Sequence, residues 1–369
     1  YAEDCTEYFK SGEEAFGSIL KDLRSAEKFI FMEYFIIGSG VMLDQILDIL
    51  KEKVKHGVVV RIIYDDFGSI NAIPPHFIKE MESIGIQTRR FNPYKPMLSV
   101  IMNDRDHRKI LVIDGRVAHT GGYNIADEYI NKKIRFGYWK DAGIRVEGEC
   151  VNSFTTMFLE MWNYINKDNA VHDEYLNPHN TFSQSEKSGF VQPFCDSPLE
   201  HDDVGENLYV SIISRAKKYV YIFTPYLILG TELSHAMISA ARSGVDVRIV
   251  VPKIPDKKLI YLQTKANFRP LIEAGARIYL YTPGFIHSKC IVADDDTAIV
   301  GTCNLDFRSM YWNFEDFVYM YRTQCIGKIK EDALETFAVS EEVYEESTND
   351  ISFAGRLLQS ILQLFAPLL

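Results

Sequence analysis

The chain has 369 residues, 47% hydrophobic and 13% aromatic, so it is long enough for two domains or two fused lobes and is not a disordered protein. Its formal net charge of −11 counts against a general nucleic-acid-binding protein, because such proteins are usually basic, although Lys and Arg are frequent between Arg89 and Lys140. The six cysteines lack zinc-binding spacing and are interpreted as reduced thiols in a cytosolic environment, and no apolar run is long enough to predict a membrane span.

The first half of the chain predicts strands that alternate with helices. An apolar, aromatic strand in 26–36 follows a helical run, and an amphipathic helix leads to a second strand in 57–66. A third strand, in 84–93, ends at Pro93, and a β-branched strand follows over Ile110–Ile113. This alternation is typical of an α/β fold.

The second half repeats the same order of elements. The corresponding strands lie in 216–227, 244–253 and 274–283, and a fourth follows at Ile291–Ala293. A repeat of this length determines the architecture. We therefore predict an α/β fold of two duplicated lobes with mixed, largely parallel sheets and the active site at their interface.

Composition suggests where the lobes begin and end. The predicted units are a first lobe (1–165), a polar linker or surface excursion (166–204), a second lobe (205–350) and an amphipathic C-terminal helix (351–369). The C-terminal helix either lies in a bilayer interface or docks on its own lobe. The first half also carries an apolar insert, MLSVIM in 97–102, which is either a buried strand extension or a lipid-facing lip.

One motif occurs twice, in 106–124 and in 286–304. Aligning the copies matches His107 with His287, Lys109 with Lys289, Asp114 with Asp294, Gly122 with Thr302, and Asn124 with Asn304. A single HxKxxxxD match is weak, because three fixed residues recur by chance. Two copies with the same downstream Asn, inside a wider repeat, predict a shared chemical role.

The paired residues suit phosphodiester chemistry. A neutral imidazole is a nucleophile, and a second one can donate or accept a proton near neutral pH. The two lysines and two asparagines, with Gly122 and Thr302 beside them, are candidates for binding non-bridging phosphate oxygens. The lysines supply the positive charge, so we expect no metal ion and no cofactor. Asp114 and Asp294 complete the motif and are counted in the candidate catalytic set, although we favour a structural role for them, fixing the motif strand through salt bridges.

A reactive imidazole needs its other nitrogen held, usually by a carboxylate. Asp141 and Glu315 follow the two motifs at similar positions, and we predict that they orient the two histidines; ordinary surface carboxylates are the alternative. Four further charged residues close behind the asparagines are candidates for the pocket rim, namely Asp127, Glu128, Asp306 and Arg308.

The two motifs, together with MEYFIIGSG (32–40), TPYLILG (224–230) and WNFE (312–315), resemble the phospholipase D superfamily and, within it, the bacterial cardiolipin synthases. The resemblance extends over nearly the whole chain. It implies a metal-independent transphosphatidylation, in which two phosphatidylglycerol molecules give cardiolipin and glycerol through a phosphatidyl-histidine intermediate. By analogy His107 is the nucleophile and His287 the acid/base, although the near-symmetric sequence also permits the reverse.

The resemblance also implies partners and location. We expect an anionic phospholipid substrate and a membrane surface as partners, no nucleic acid, and a cytoplasmic-side catalytic region at the bacterial cell membrane. The chain begins with Tyr1, so we expect the membrane anchor in a preceding segment. The open alternatives are a hydrolase, a phosphatidylserine synthase, a nuclease-type phosphodiesterase and a non-catalytic lipid-binding or scaffold protein; no oligomeric state is predicted.

Overall fold

The structure is a computed structural model that describes residues 1, 5–93, 104–176, 189–200 and 202–346. The apolar insert and the C-terminal helix predicted from the sequence lie outside the described residues. Within those residues, no helix is both long enough and apolar enough to cross a membrane.

The first half of the chain forms nine strands and five helices in the described ranges. The strands are β1 (Cys5–Phe9), β2 (Phe29–Tyr34), β3 (Val59–Asp65), β4 (Gln87–Phe91), β5 (Arg105–Asp106), β6 (Lys109–Ile113), β7 (Val117–Gly121), β8 (Tyr138–Lys140) and β9 (Gly143–Glu147). The helices are α1 (Gly12–Ser25), α2 (Val41–Lys55), α3 (Asp66–Ser69), α4 (Phe77–Ser83) and α5 (Val151–Asn166). A short 3₁₀ turn, Asp173–Tyr175, follows.

The second half forms nine strands and six helices in the described ranges. The strands are β10 (Phe190–Asp196), β11 (Tyr219–Phe223), β12 (Asp246–Pro252), β13 (Arg277–Tyr281), β14 (Gly284–Ile286), β15 (Cys290–Ala293), β16 (Thr297–Gly301), β17 (Asn313–Tyr321) and β18 (Ser340–Val343). The helices are α6 (Val204–Arg215), α7 (Thr231–Arg242), α8 (Lys258–Ala266), α9 (Phe268–Glu273), α10 (Phe307–Tyr311) and α11 (Ile326–Ala338).

Each half builds one large mixed sheet. The first has the order β1-β9-β7-β6-β2-β3-β4, and the second has β10-β17-β16-β15-β11-β12-β13-β18. The prediction of an α/β fold with duplicated lobes and mixed sheets is confirmed. The stretch 166–204, predicted as a linker, contains β10, which pairs with β17 along its whole length; the exact lobe boundaries stay a prediction.

The expectation that the sheets are largely parallel is wrong. Along the two strand orders given above, β2-β3-β4 and β11-β12-β13 pair in parallel, and every other neighbouring pair is antiparallel. The motif strands explain the difference, because β6 joins β7, and β15 joins β16, through tight hairpins. A connection that short can join only antiparallel strands, since a parallel pair needs a crossover of about a dozen residues or more.

The two sheets share an apolar core. One cluster of buried side chains combines Ala118 and Ile144 of the first sheet with Val300 and Val318 of the second. Helices α1, α2 and α4 cover the outer face of the first sheet, and α6, α7 and α9 cover that of the second. Apolar side chains buried between the sheets hold the halves together, so residues from both can form one site.

Candidate active site

Each predicted histidine enters the site on a short strand that pairs with the opposite half of the chain. Strand β5, just before His107, runs parallel to β17, and β14, just before His287, runs parallel to β8. The peptide N–H of His107 donates to the carbonyl of Phe314 at 3.0 Å, and that of His287 donates to the carbonyl of Lys140 at 2.7 Å. The imidazoles are therefore positioned by the docking of the two halves.

The two orienting carboxylates cross between the halves. Nδ1 of His107 lies 2.9 Å from both carboxylate oxygens of Glu315, and Nδ1 of His287 lies 2.8 Å from Oδ2 of Asp141. Both carboxylates are fully buried, whereas the histidines keep 8% and 9% exposure. A carboxylate on Nδ1 fixes the ring and leaves Nε2 as the nitrogen that can react.

The two motif lysines lie beneath the histidines. Nζ of Lys109 donates to the backbone carbonyl of His107 at 2.6 Å, and Lys289 makes the same contact with His287. Burial lowers the pKa of Lys109 to about 8 and that of Lys289 to about 7, in each case against the attraction of nearby carboxylates. Anion binding favours the protonated ammonium, so a phosphodiester would fully charge both lysines.

The imidazoles are neutral at neutral pH. Burial, followed by the charges of Lys109 and Lys289, holds the pKa of His107 well below its usual value. Burial and Lys289 lower the pKa of His287 to about 4, although Asp141 acts in the opposite direction. An unprotonated imidazole is the form that can attack phosphorus.

The two carboxylates differ in charge. Burial raises the pKa of Glu315 to about 7, outweighing the opposing charge of Lys109. Burial acts to raise the pKa of Asp141 as well. The attraction of His287 and Lys289 is stronger, so the pKa of Asp141 lies below the usual value of an aspartate. Asp141 is therefore ionised near neutral pH, and its partner His287 is the imidazole whose protonated form is better stabilised.

Asp114 and Asp294 lie at the far end of the motif strands from the histidines. The Asp114 carboxylate accepts the N–H groups of Glu27, Lys28 and Phe29, each at 2.8 Å. Asp294 repeats this pattern, accepting the N–H groups of residues 217–219. These contacts are hydrogen bonds to the backbone, not the salt bridges expected from the sequence, and they fasten the hairpin turn to the start of β2 or β11.

Both aspartates also make the turn itself. Asp114 and Gly115 have φ values of 56° and 62°, and Asp294 and Asp295 have 54° and 66°. In each hairpin these are the two central residues of a β-turn, and two positive φ angles there suit Asp and Gly, since these residues tolerate the left-handed region best. The aspartates of the HxKxxxxD motifs thus do not touch the imidazoles, although the sequence placed them in the catalytic set.

Gly122 and Thr302 lie against the orienting carboxylates. A Cβ atom at Gly122 would lie 2.0 Å from Oδ1 of Asp141, so only glycine leaves room for that carboxylate. The hydroxyl of Thr302 donates to Glu315 at 2.5 Å. Both residues were predicted to bind substrate, and the structure instead places them as supports for the carboxylates.

The two asparagines have different surroundings. Asn124 accepts the N–H of Ile36 at 2.9 Å and donates to the Tyr129 hydroxyl at 2.7 Å. The side-chain oxygen of Asn304 is buried, with no hydrogen-bond partner among the described residues. Asn304 is therefore the asparagine with an unused acceptor near the site.

The four rim candidates also differ. Asp127 accepts the N–H groups of Val41 and Met42 and caps α2. Glu128 pairs with Arg135 at 3.0 Å. Two others lie at the start of α10. Asp306 accepts the N–H of Ser309 at 2.8 Å and caps that helix, and Arg308, in its first turn, is half-buried. Asp306 and Arg308 lie two and four positions after Asn304, and both stay candidates for the rim of the pocket.

Several site residues were missed by the sequence reasoning. Asp316 accepts the N–H of Lys109 at 3.0 Å and the Thr120 hydroxyl at 2.5 Å, and burial raises its pKa to about 7. Aromatic rings also flank the imidazoles: Phe35 lies 5.1 Å from His107, and Trp139 lies 5.2 Å from His287, between ring centroids. In the sequence, only their positions could have pointed to these residues. Asp316 follows Glu315 directly, and the two aromatic residues lie in the strand segments around the motifs.

The site is suited to holding an anion between two neutral imidazoles and two buried ammonium groups. Within the described ranges, no three His, Cys, Asp or Glu side chains are grouped so as to hold a metal ion. The arrangement supplies a nucleophile, a proton donor or acceptor, and positive charge from the chain itself.

Comparisons with known proteins identify the family of the chain. The family described as "Cardiolipin synthase, PLD-like domain" matches residues 19–162 and 209–336, one segment in each half. An uncharacterised protein of Streptococcus mutans is 48% identical over 98% of this chain and 78% of its own length. A cardiolipin synthase of Alkalihalophilus pseudofirmus is 38% identical over 99% of this chain and 72% of its own length.

A solved structure supports the fold. The phosphatidylserine synthase of Haemophilus influenzae superposes with a TM-score of 0.73 at 17% identity, covering 100% of this chain and 94% of that chain. At that identity the likeness concerns the fold alone. The family match covers most of the chain, and the Alkalihalophilus protein is well above 30% identical. The chain therefore belongs to the cardiolipin synthase, PLD-like domain family and is a phosphatidyltransferase of the phospholipase D superfamily.

Proposed function

We propose that this phosphatidyltransferase is a cardiolipin synthase, which joins two phosphatidylglycerol molecules and releases glycerol. The observation that carries the proposal is the pair of imidazoles held by crossed carboxylates, with a buried lysine beneath each. The matched cardiolipin synthases give the substrate class. The two lobes predicted from the sequence, 1–165 and 205–350, are proposed as the two halves of the catalytic unit.

In the first step, Nε2 of His107 attacks the phosphorus of one phosphatidylglycerol. A P–N bond forms and the bond from phosphorus to the glycerol oxygen breaks. His287, whose protonated form is stabilised by the ionised Asp141 and by the bound phosphate anion, gives its proton to that oxygen, and glycerol leaves. Lys109, Lys289 and the amide of Asn304 stabilise the charge on the non-bridging oxygens.

In the second step, His287 takes the proton from a terminal glycerol hydroxyl of a second phosphatidylglycerol. The hydroxyl oxygen attacks the phosphorus, the P–N bond breaks, and His107 is regenerated as cardiolipin leaves. The ionised Asp141 beside His287 supports this assignment, because an adjacent carboxylate stabilises the imidazolium that gives its proton in the first step and is regenerated in the second. The raised pKa of Glu315 makes it the weaker imidazolium partner, which favours His107 as the nucleophile.

The positive charge of the two lysines favours an anionic phospholipid, and the reaction requires access to a lipid surface. We therefore propose a membrane-associated bacterial enzyme whose catalytic region faces the cytoplasm. Water or serine as the acceptor would use the same imidazole pair, so a hydrolase or a phosphatidylserine synthase remains the alternative.

The test is incubation with phosphatidylglycerol in mixed micelles containing EDTA, followed by mass spectrometry of the lipids and of enzyme denatured rapidly at mildly alkaline pH, where a P–N bond to histidine is preserved. Cardiolipin with an equal amount of glycerol, and a phosphatidyl adduct on His107, support the proposal. Phosphatidic acid without cardiolipin indicates a hydrolase. Phosphatidylserine formed only when serine is added indicates the serine-using alternative.

A further inference from the structure

The two halves of the site carry opposite charges at matching positions. Arg308 follows Glu128 by 180 positions, the offset that relates His107 to His287. Glu128 is acidic and pairs with Arg135 of its own loop, whereas Arg308 adds a cation to the second half. The repeat therefore has a symmetric catalytic centre and an asymmetric rim.

Lys257 adds a second cation to the same side of the site. It is exposed at the start of α8, and its ammonium lies 5.4 Å from the ring centroid of Tyr226. In the described part of the chain it makes no ion pair. Tyr226 itself donates to Asp256 at 2.6 Å, which fixes the ring under the ammonium. A cation placed this way is available to a ligand.

Both cations lie close enough to act on the reacting centre. Lys257 and Arg308 contribute to the lowered pKa of His107, after burial and the two motif lysines. Both also act to lower the pKa of Asp306, the residue that caps α10. Leu227 forms a β-bridge with Leu305, which places Tyr226 and the Lys257 ammonium over its ring beside Asn304. Arg308 lies four positions after Asn304, and Thr302, two positions before it, donates to the Glu315 carboxylate that holds His107.

The asparagines repeat this asymmetry. Tyr129, which takes a hydrogen bond from Asn124, is matched 180 positions later by Ser309, whose side chain is too short for the same contact. That contact uses the amide nitrogen of Asn124. The oxygen of Asn124 accepts the N–H of Ile36, whereas the buried oxygen of Asn304 has no partner among the described residues. An acceptor oxygen beside two cations matches a ligand that carries both a hydroxyl and an anionic phosphate.

Resting on the proposed cardiolipin synthase function, we propose that Lys257 and Arg308 bind the phosphate of the acceptor phosphatidylglycerol while Asn304 accepts a hydrogen bond from its glycerol. In the acceptor, this phosphate lies one glycerol unit from the attacking hydroxyl. Water, serine and free glycerol lack it. The second half of the rim thus selects the acceptor, and the two histidines carry out the chemistry for any alcohol.

The test compares two reactions of the same enzyme on phosphatidylglycerol micelles. Exchange of labelled glycerol into phosphatidylglycerol uses the histidines with an uncharged acceptor, and cardiolipin formation uses an acceptor with a phosphate. For the double variant Lys257→Gln/Arg308→Gln we expect the ratio of cardiolipin formation to glycerol exchange to fall about tenfold or more. Misfolding lowers both rates together and leaves the ratio unchanged.

Charge-conserving and distant variants sharpen the result. Lys257→Arg/Arg308→Lys is expected to keep most of the wild-type ratio, and Lys132→Gln, which removes an exposed cation from the first half, is expected to leave both rates unchanged. A ratio in the Gln double variant within about twofold of wild type overturns the acceptor site. A wild-type enzyme that exchanges glycerol but forms no cardiolipin instead overturns the proposed function, and the acceptor site with it.

Discussion

The carboxylate of Glu315 lies 2.9 Å from Nδ1 of His107, an imidazole 208 positions earlier in the chain. Asp141 makes the reciprocal contact with His287, 146 positions later. Each reactive imidazole therefore depends on a carboxylate from the other half of the chain.

Replacement of either histidine is expected to remove turnover. His107→Ala removes the nucleophile and His287→Ala removes the group that protonates the leaving glycerol, so each should lower cardiolipin formation by about 10⁴-fold or more. The measurement is the initial rate with phosphatidylglycerol, with circular dichroism as the folding control. A His107→Ala enzyme with wild-type activity contradicts the mechanism.

The orienting carboxylates should act on opposite histidines. Glu315→Gln and Asp141→Asn should each lower kcat by about 10²- to 10⁴-fold, because the imidazole loses the partner that fixes its tautomer and stabilises its charged form. Nitrogen NMR of labelled histidine checks the crossing. Glu315→Gln should shift the resonances of His107 more than those of His287, and the reverse pattern would refute the crossed pairing.

Gly122→Ala should displace Asp141, since the added Cβ would lie 2.0 Å from its carboxylate oxygen. We expect a loss of activity comparable to that of Asp141→Asn. The matched control is Gly17→Ala in α1, where nothing lies within 4 Å of the added atom. That control should keep full activity and stabilise the helix by about 0.5–1 kcal/mol. Equal activity of the two variants would contradict the role assigned to Gly122.

The pH dependence of kcat/KM should be bell-shaped. His107 must be neutral, and its pKa is lowered, so the acid limb should lie below pH 6.5, the usual histidine value. The lysines must be protonated to bind phosphate, and they lose their protons as pH rises through about 7 for Lys289 and about 8 for Lys109.

Lys289→Arg tests the alkaline limb separately, because a guanidinium stays charged across this range. The variant should bind substrate less well, yet lose activity at higher pH than the wild type. An alkaline limb that is unchanged in position for Lys289→Arg would show that another group controls it.

Asp114→Ala should mainly reduce stability. It removes an acceptor of three backbone N–H groups, and the expected cost in unfolding free energy is about 1–3 kcal/mol. Urea unfolding measures the loss, and kcat per folded molecule should stay close to the wild-type value. A stable Asp114→Ala enzyme without activity would return this aspartate to the catalytic set.

The sequence alone determined the repeat, the α/β fold class and the chemical types in the site. These follow from local patterns: strand and helix periodicity, the fixed spacing of His, Lys, Asp and Asn, and a second copy that makes chance unlikely as an explanation. It also singled out Asp141 and Glu315 by residue type. Such features need only neighbours along the chain, so they are readable without coordinates.

The tertiary structure decided which groups meet. The crossing of Glu315 to His107, the support of the carboxylates by Gly122 and Thr302, and the asymmetric rim with Arg308 all depend on how the two sheets dock. Burial between the halves also sets the charge states, since desolvation is the largest influence on the pKa of both histidines and of Glu315. Contacts across more than a hundred positions are set by packing, and no local spacing encodes them.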